Sequence, residues 1–142
     1  MATLVVPMAG RSSRYPNLRP KWMLSHPMSN TFMGIAAIQG LNLDFFDKIY
    51  WVTLKEYQEK YQFEQGYLEE LDQVGLKEKS EIVLLDKETS SQSETVCELI
   101  KKKNIKDFIF IKDSDGYYEC ELKDGSNQVA YFDLNDMDNI NA

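Results

Sequence analysis

The feature that most constrains this chain is the regular alternation of short apolar segments with longer amphipathic ones. The apolar segments are rich in β-branched and aromatic side chains, as buried strands are: 3–7 (TLVVP), 48–53 (KIYWVT), 81–85 (EIVLL) and 106–112 (KDFIFIK). Helical periodicity fills the stretches between them. Because parallel strands need a crossover connection, this order predicts an α/β domain with a doubly wound, mostly parallel, Rossmann-like sheet.

Capping residues and breakers predict the bounds of the first helices. One helix begins at Asn30 or Thr31, either of which can act as an N-cap, and continues to about Leu41. Residues 54–76 carry Tyr and Leu at helical spacing among Glu, Gln and Lys, and Gly66 predicts a break between two helices. These helices would pack an apolar stripe on the sheet and expose a polar face.

The second half of the chain predicts one more helix and a hairpin. Residues 93–103 follow the third strand and have an apolar inner stripe that includes Cys97. Residues 117–122 and 128–134 alternate apolar and polar side chains on either side of a segment rich in turn formers. This pattern predicts a β-hairpin after the fourth strand.

Composition limits the class of protein. With 142 residues, 43% of them hydrophobic, we expect residues 1–142 to form a single domain with its own core. No apolar run approaches the roughly 20 residues of a membrane span, and the first residues lack the basic start of a secretory signal. Cys97 and Cys120 lack metal-ligand spacing. We therefore expect a cytoplasmic protein without a membrane partner.

Charge sets one segment apart from the rest of the chain. The formal net charge of −7 argues against a nucleic-acid-binding surface, which needs a basic face. Residues 11–21, however, contain four cations and no acidic residue: Arg11, Arg14, Arg19 and Lys21. This island of positive potential predicts a small polyanion as the partner.

The basic segment lies in a loop with the properties of a phosphate-binding site. Residues 7–21 (PMAGRSSRYPNLRPK), called the phosphate loop below, follow the first strand and contain small residues that let backbone amides approach bound oxygens: Ala9, Gly10, Ser12 and Ser13. Arg14 and Lys21 add positive charge. A nucleoside triphosphate needs both features, because attack on its α-phosphorus concentrates negative charge on the transferring group and the departing pyrophosphate.

The run VVPMAGRSSRY followed by RPKWML resembles the signature of the sugar-phosphate nucleotidyltransferases, where a strand leads into an A-G-x-G-T-R loop and then a Pro-Lys pair. Gly10, Arg14 and Lys21 match that signature. Ser12 stands in place of the second glycine, and Ser13 in place of the threonine. The resemblance implies a GT-A-like nucleotidyltransferase fold of which this chain is the N-terminal part, since the family domain continues well past this length.

The resemblance also implies roles for the loop. Arg14 and Lys21 would be the catalytic residues that stabilise the transition state, and a sugar phosphate or similar phosphorylated small molecule would attack in line to release pyrophosphate. The triphosphate would be bound by Ala9, Gly10, Arg11, Ser12 and Ser13. A dinucleotide-binding oxidoreductase is disfavoured because G-x-G-x-x-G is absent. A plain solvated loop is the structural alternative for each single arginine.

A second segment resembles the family's other nucleotide-contacting turn. In residues 89–96 (TSSQSETV), Gln92, Glu94 and Thr95 would face the base or ribose on this resemblance. The alternative is a capping box, in which Ser91 is the N-cap and Glu94 follows three residues later. The sequence leaves both interpretations open.

The acidic turn after the fourth strand is the candidate magnesium site. Asp115 aligns with the aspartate that holds Mg²⁺ in the family, whereas Asp113 is interpreted as a supporting group or part of the turn. Carboxylate oxygens suit Mg²⁺, which usually takes one or two of them together with phosphate oxygens and water. An ordinary D-S-D-G turn is the structural alternative.

Two functions from different classes remain open at this point. The first is a Mg²⁺-dependent nucleotidyltransferase that acts on a nucleoside triphosphate and a phosphorylated acceptor. The second is a nucleotide-binding or interaction module without catalysis, and self-association into a homo-oligomer is left open. His26, Trp22 and Trp51 are interpreted as structural residues.

Overall fold

Strands and helices alternate along the chain as the hydrophobic pattern predicts. A computed structural model describes residues 2–9, 19–27, 30–106, 108–114, 117 and 119. Its strands and helices are β1 (Ala2–Pro7), α1 (Met33–Ala37), β2 (Lys48–Leu54), α2 (Lys55–Tyr61), α3 (Glu64–Gln73), β3 (Ser80–Leu85), α4 (Gln92–Lys103) and β4 (Phe108–Ile111). Short 3₁₀ turns are formed by Lys21–Met23 and Leu43–Phe45. Apart from Tyr117 and Glu119, the predicted hairpin lies outside the described residues.

The strands form one sheet in the order β3-β2-β1-β4, and every pairing among the described strands is parallel. β1 is therefore central and pairs with β2 on one side and with β4 on the other. This architecture confirms the predicted α/β Rossmann-like fold. Because all strands run the same way, the segments that follow them emerge at one edge of the sheet, called the carboxyl edge below.

The core lies around β1 and β2. All six residues of β1 are buried, as expected for a strand covered on both faces, and Trp51 in β2 is fully buried. Leu71 from α3 and Leu99 from α4 are likewise inaccessible. β4 differs, because Phe108 and Ile111 are 56% and 54% exposed. Among the described helices, none combines the length and the apolar character that a bilayer span requires.

The first helix is shorter than predicted and begins elsewhere. α1 covers only five residues, its N-cap is Phe32, and no side chain caps it. Asn30 cannot act as an N-cap, because it has a left-handed backbone (φ 57°) whereas an N-cap residue is extended. The N–H group of Phe32 instead donates to the carboxylate of Glu70, 2.8 Å away on α3. A tertiary contact thus replaces the predicted local cap.

Two other predictions about the helices are wrong. The break between α2 and α3 lies at Gln62, which takes a left-handed conformation (φ 50°), and Gly66 lies inside α3. In α4 the buried positions are Thr95, Val96 and Leu99, whereas Cys97 is exposed. Thr95 takes the inner position because its hydroxyl has a buried partner, as described below.

Candidate functional site

The phosphate loop begins at the carboxyl edge, between β1 and β2. Met8 and Ala9, the first residues after β1, are buried. The N–H group of Met8 donates to the carbonyl of Val52 (2.6 Å), and the Thr53 hydroxyl donates to the carbonyl of Met8 (3.1 Å). Two hydrogen bonds to the end of β2 therefore hold the start of the loop. The candidate residues Gly10, Arg11, Ser12, Ser13 and Arg14 lie outside the described residues.

Lys21 is described, and it is an exposed side chain on a buried support. It opens the 3₁₀ turn in which Trp22 and Met23 are 3% and 4% exposed. The turn is closed by hydrogen bonds from Met23 N–H to Pro20 O (2.9 Å) and from Leu24 N–H to Lys21 O (3.1 Å). This alternation of exposed and buried residues fixes the backbone of Lys21 on the core while its side chain is exposed.

The support consists of aromatic rings supplied by α2, α3 and the residues between them. Ring centroids of Phe63, Tyr67 and Tyr57 lie 4.8, 5.7 and 6.3 Å from that of Trp22, all at edge-to-face angles. These four residues are called the aromatic cluster. Next to it, the guanidinium of Arg19 lies 5.6 Å from the ring centroid of Tyr61, within cation–π range.

Tyr67 connects the aromatic cluster to the start of the loop. Its side chain is fully buried, and its hydroxyl contacts the Met8 sulfur at 3.8 Å. Burial raises the pKa of Tyr67 well above its usual value, because a phenolate would be desolvated, and the nearby charge of Glu70 adds to the effect. A Cβ atom at Gly34 would lie only 2.6 Å from this hydroxyl. The ring therefore fits because position 34 has no side chain.

Met8 lies at the start of the phosphate loop and Trp22 directly follows its end, and Tyr67 contacts both. The described part of the structure thus joins both ends of the loop to one apolar body. The indole N–H of Trp22 is buried and has no hydrogen-bond partner among the described residues. Sequence reasoning interpreted Trp22 only as a packing residue. Its position directly after the Pro-Lys pair was the signal that Trp22 could also support the phosphate loop.

The N-terminus of α4 supplies a second group of polar side chains at the carboxyl edge. The Ser91 hydroxyl accepts a hydrogen bond from Glu94 N–H (3.2 Å), which confirms Ser91 as the N-cap. The Glu94 carboxylate accepts from the N–H group of Ser90 (3.0 Å) and from the Ser90 hydroxyl. In a capping box it would accept from Ser91 N–H. The hydrogen bonds from Ser90 hold the pKa of Glu94 below its usual value.

The three candidate nucleotide contacts of this turn have different environments. Gln92 and Glu94 are exposed, whereas Thr95 is 1% exposed and its hydroxyl lies 2.6 Å from that of Thr89. An open cleft of about 590 Å³ adjoins the turn and is lined by side chains of both charges, among them Asp86, Glu88, Glu94, Glu98 and Lys101. Contact of Gln92, Glu94 and Thr95 with a base or ribose stays a prediction.

The end of β4 places a buried lysine at the carboxyl edge. Lys112 is 2% exposed, and its N–H group donates to the carbonyl of Val5 in β1 (3.0 Å). Its ammonium donates to the main-chain oxygen of Asp113 (3.0 Å) and pairs with the Asp113 carboxylate. Sequence reasoning treated Lys112 only as the last residue of a strand. The available signal was a single cation between an apolar strand and an acidic turn.

The metal prediction depends on the turn that follows Lys112. Asp115 lies outside the described residues, and within them no group of three or more His, Cys, Asp or Glu side chains is placed to hold a metal ion. The chemistry of the turn still suits Mg²⁺, which binds nucleotide phosphates with only one or two protein carboxylates. Asp113 is engaged by Lys112. Asp115 therefore remains the candidate ligand.

Comparison with known proteins bears mainly on the fold. No protein-family model matches the sequence, and no curated protein matches it. The fold is similar to that of the nucleoside-diphosphate-sugar pyrophosphorylase from Vibrio cholerae RC9, with a TM-score of 0.56 and 25% sequence identity. The match covers 79% of this chain and 47% of that chain, so the protein spans just under half the length of this neighbour. The class shown is a Rossmann-like α/β fold shared with a nucleotide-sugar pyrophosphorylase.

Proposed function

We propose that this chain is the nucleotide-binding part of a nucleotidyltransferase that transfers a nucleotidyl group from a nucleoside triphosphate to a sugar phosphate or similar phosphorylated acceptor. The observation that carries the proposal is the support of Lys21. An exposed lysine at the end of a basic loop is held by a buried aromatic cluster, which also contacts the start of the same loop. In this proposal the loop would bring its positive charge to the carboxyl edge, where ligands of open α/β sheets bind.

The comparison supports the same proposal from a second direction. The neighbour of known fold is a nucleoside-diphosphate-sugar pyrophosphorylase, and the match covers 79% of this chain. A triphosphate is the simplest ligand for a loop with four cations in an acidic protein of net charge −7.

The proposed mechanism is electrostatic. Lys21 and Arg14 would stabilise the charge that develops on the transferring phosphoryl group and on pyrophosphate when the acceptor phosphate attacks in line. Backbone amides of residues 9–13 would orient the triphosphate. The chemistry that Mg²⁺ would supply at Asp115 is neutralisation of phosphate charge. Gln92 and Glu94 would contact the base or ribose from the N-terminus of α4.

Binding of nucleotides tests the proposal directly. We would titrate the protein with CTP, dTTP, UTP, GTP and ATP in the presence of Mg²⁺ and measure the heat of binding. Lys21→Ala should weaken binding on the order of tenfold or more, since a charge-assisted hydrogen bond contributes roughly 1.5–3 kcal/mol. Lys77→Ala is the matched control, because Lys77 is an exposed lysine just before β3, at the opposite edge of the sheet.

Release of pyrophosphate in the presence of a sugar phosphate separates the two functions left open by the sequence. Binding with turnover identifies a nucleotidyltransferase. Binding that Lys21→Ala weakens, without turnover by any acceptor, identifies a non-catalytic nucleotide-binding module. A protein that binds none of the five nucleotides, or binds them equally well with and without Lys21, contradicts the proposal.

A further inference from the structure

Among the residues that the structure describes, Lys112 is the most deeply buried charged side chain that the proposed mechanism does not use. Burial of an ammonium group costs several kcal/mol unless other groups compensate it, so such a lysine calls for a physical reason. Its neighbour Asp113 supplies two oxygens to it, one from the main chain at 3.0 Å and one from the carboxylate. Lys112 and Asp113 are called the buried pair below.

The buried pair lies beside the start of the phosphate loop. Ile111 is in register with Val5, and the N–H group of Lys112 donates to the carbonyl of Val5, two residues before β1 ends at Pro7. The turn at Asp113 and the loop after Pro7 therefore leave the sheet side by side. Adjacent strands are about 4.8 Å apart, so charges at these positions act on each other over short distances.

The position of Asp113 presents an electrostatic problem for the proposed ligand. Its side chain is 42% exposed, so an isolated carboxylate there would repel a triphosphate bound at the neighbouring loop. The ammonium of Lys112 cancels this charge from the buried side. Because Lys112 is 2% exposed, it is much less screened by salt than a surface lysine would be.

We propose that Lys112 is a positioning residue that acts through Asp113: its buried ammonium holds and neutralises the Asp113 carboxylate, which lets a polyphosphate bind beside β1 and β4. This inference rests on the proposed nucleotide binding. It differs from a purely structural role, in which Lys112 only fastens the turn to the sheet. The two roles predict opposite effects for removal of the Asp113 charge.

The experiment measures affinity for inorganic tripolyphosphate and for a nucleoside triphosphate in EDTA, so that no metal contributes. Lys112→Met should weaken both affinities on the order of tenfold, because the Asp113 charge is then uncompensated. Asp113→Asn should strengthen them by a similar factor, since it keeps an oxygen that accepts from Lys112 but removes the negative charge. The double variant should return to within about twofold of wild type, as coupled charges do.

The control variants make the same charge changes at positions far from the site. Lys77→Met and Asp72→Asn alter exposed residues near the opposite edge of the sheet and should leave both affinities within about twofold of wild type. Thermal unfolding of each variant shows that it is folded. Replacement of a buried ion by an apolar side chain of similar volume is often tolerated. If Lys112→Met nevertheless fails to fold, the sign of the Asp113→Asn effect alone decides.

The outcomes separate this inference from the proposed function. If Asp113→Asn weakens binding as Lys112→Met does, the pair is a structural fastening and the inference is wrong. If wild type binds and Lys21→Ala weakens binding while both pair variants leave it unchanged, only this inference fails. If wild type binds neither probe, with or without Mg²⁺, the inference and the proposed function fail together.

Discussion

The carboxyl edge holds its functional segments in two different ways, one apolar and one polar. Around Lys21 the support is the aromatic cluster, in which four rings pack edge to face and exclude water. Around Asp113 and the N-terminus of α4 the support consists of ion pairs and short-range hydrogen bonds, such as those of Lys112 and Ser91. The two supports should differ in their sensitivity to solution conditions, because packing is insensitive to salt and pH whereas charge pairs are not.

This contrast assigns different tasks to the two regions. In the proposed function Lys21 would stabilise a transition state, and a lysine with that role must be held in place at any ionic strength, which an apolar support achieves. In the proposed function the acidic turn would accommodate both phosphate and a metal ion, and a carboxylate paired with an ammonium group can respond to both. The predictions below test the contrast from the largest expected effect to the smallest.

The largest effect is expected for removal of the central ring of the apolar support. Trp22→Ala should lower the free energy of unfolding by about 3–5 kcal/mol, because it leaves a large cavity among Tyr57, Phe63 and Tyr67. Urea denaturation measures the change. Leu24→Ala, at a 41% exposed position two residues later, is the control and should change stability by less than about 0.5 kcal/mol. Equal effects of the two variants would show that the cluster does not support the loop.

A smaller effect is expected where α1 meets the cluster. Gly34→Ala would place a methyl group 2.6 Å from the Tyr67 hydroxyl and should cost about 1–3 kcal/mol by overpacking, although alanine ordinarily favours a helix over glycine. Tyr67→Phe removes that hydroxyl, whose described contact is only the Met8 sulfur at 3.8 Å. Thermal unfolding should therefore show that Tyr67→Phe rescues Gly34→Ala. A failure of rescue would mean that the close contact is not what limits position 34.

The polar support at α4 should respond more weakly. Ser91→Ala removes the N-cap hydrogen bond to Glu94 N–H and should cost about 1 kcal/mol. Ser93→Ala, in the same exposed first turn, provides a control because Ser93 is not the N-cap. Urea denaturation of both variants measures the difference. If the two losses are equal, the cap contributes nothing specific to the start of α4.

The same contrast explains how much of the fold could be predicted from the sequence. Strands such as β2 and β3 were predictable within one residue, because their apolar β-branched runs need no other part of the chain to identify them. The start of α4 was also predictable, since Ser91 acts on its own neighbours. Local chemistry sufficed in these places.

The start of α1 was not predictable, because Phe32 donates to Glu70, which lies 38 residues later in the chain. The exposure of Cys97 was missed for a similar reason. Thr95 takes the buried position in α4 because its hydroxyl contacts that of Thr89, which precedes the helix, and Cys97 is exposed. Of the candidate site, the position of Ala9 at the carboxyl edge follows from its place directly after β1. The aromatic cluster arises from contacts between residues far apart in the chain, and the burial of Lys112 accompanies the pairing of β4 with β1, neither of which periodicity reveals.

The smallest effect on stability is expected for an exposed ion pair on the sheet. Glu81 in β3 pairs with Lys103 at 2.6 Å and with Lys48 at 3.6 Å, and the hydrogen bond from Lys103 is the main cause that lowers the pKa of Glu81. All three side chains are about one-third exposed, so the pair should contribute at most about 0.5 kcal/mol.

The sign of the pH dependence follows from the direction of that shift. Because the pKa of Glu81 is lower in the folded state, its contribution is present above the ordinary glutamate pKa of about 4.3 and is lost as pH falls through the folded value. Relative to wild type, Glu81→Gln should thus be slightly destabilised at pH 7 and equally stable at pH 2.5, with Glu78→Gln as an exposed control. A destabilisation that persists at pH 2.5, or that resists 1 M salt, would mean that Glu81 acts through packing, as the aromatic cluster does, and not through charge.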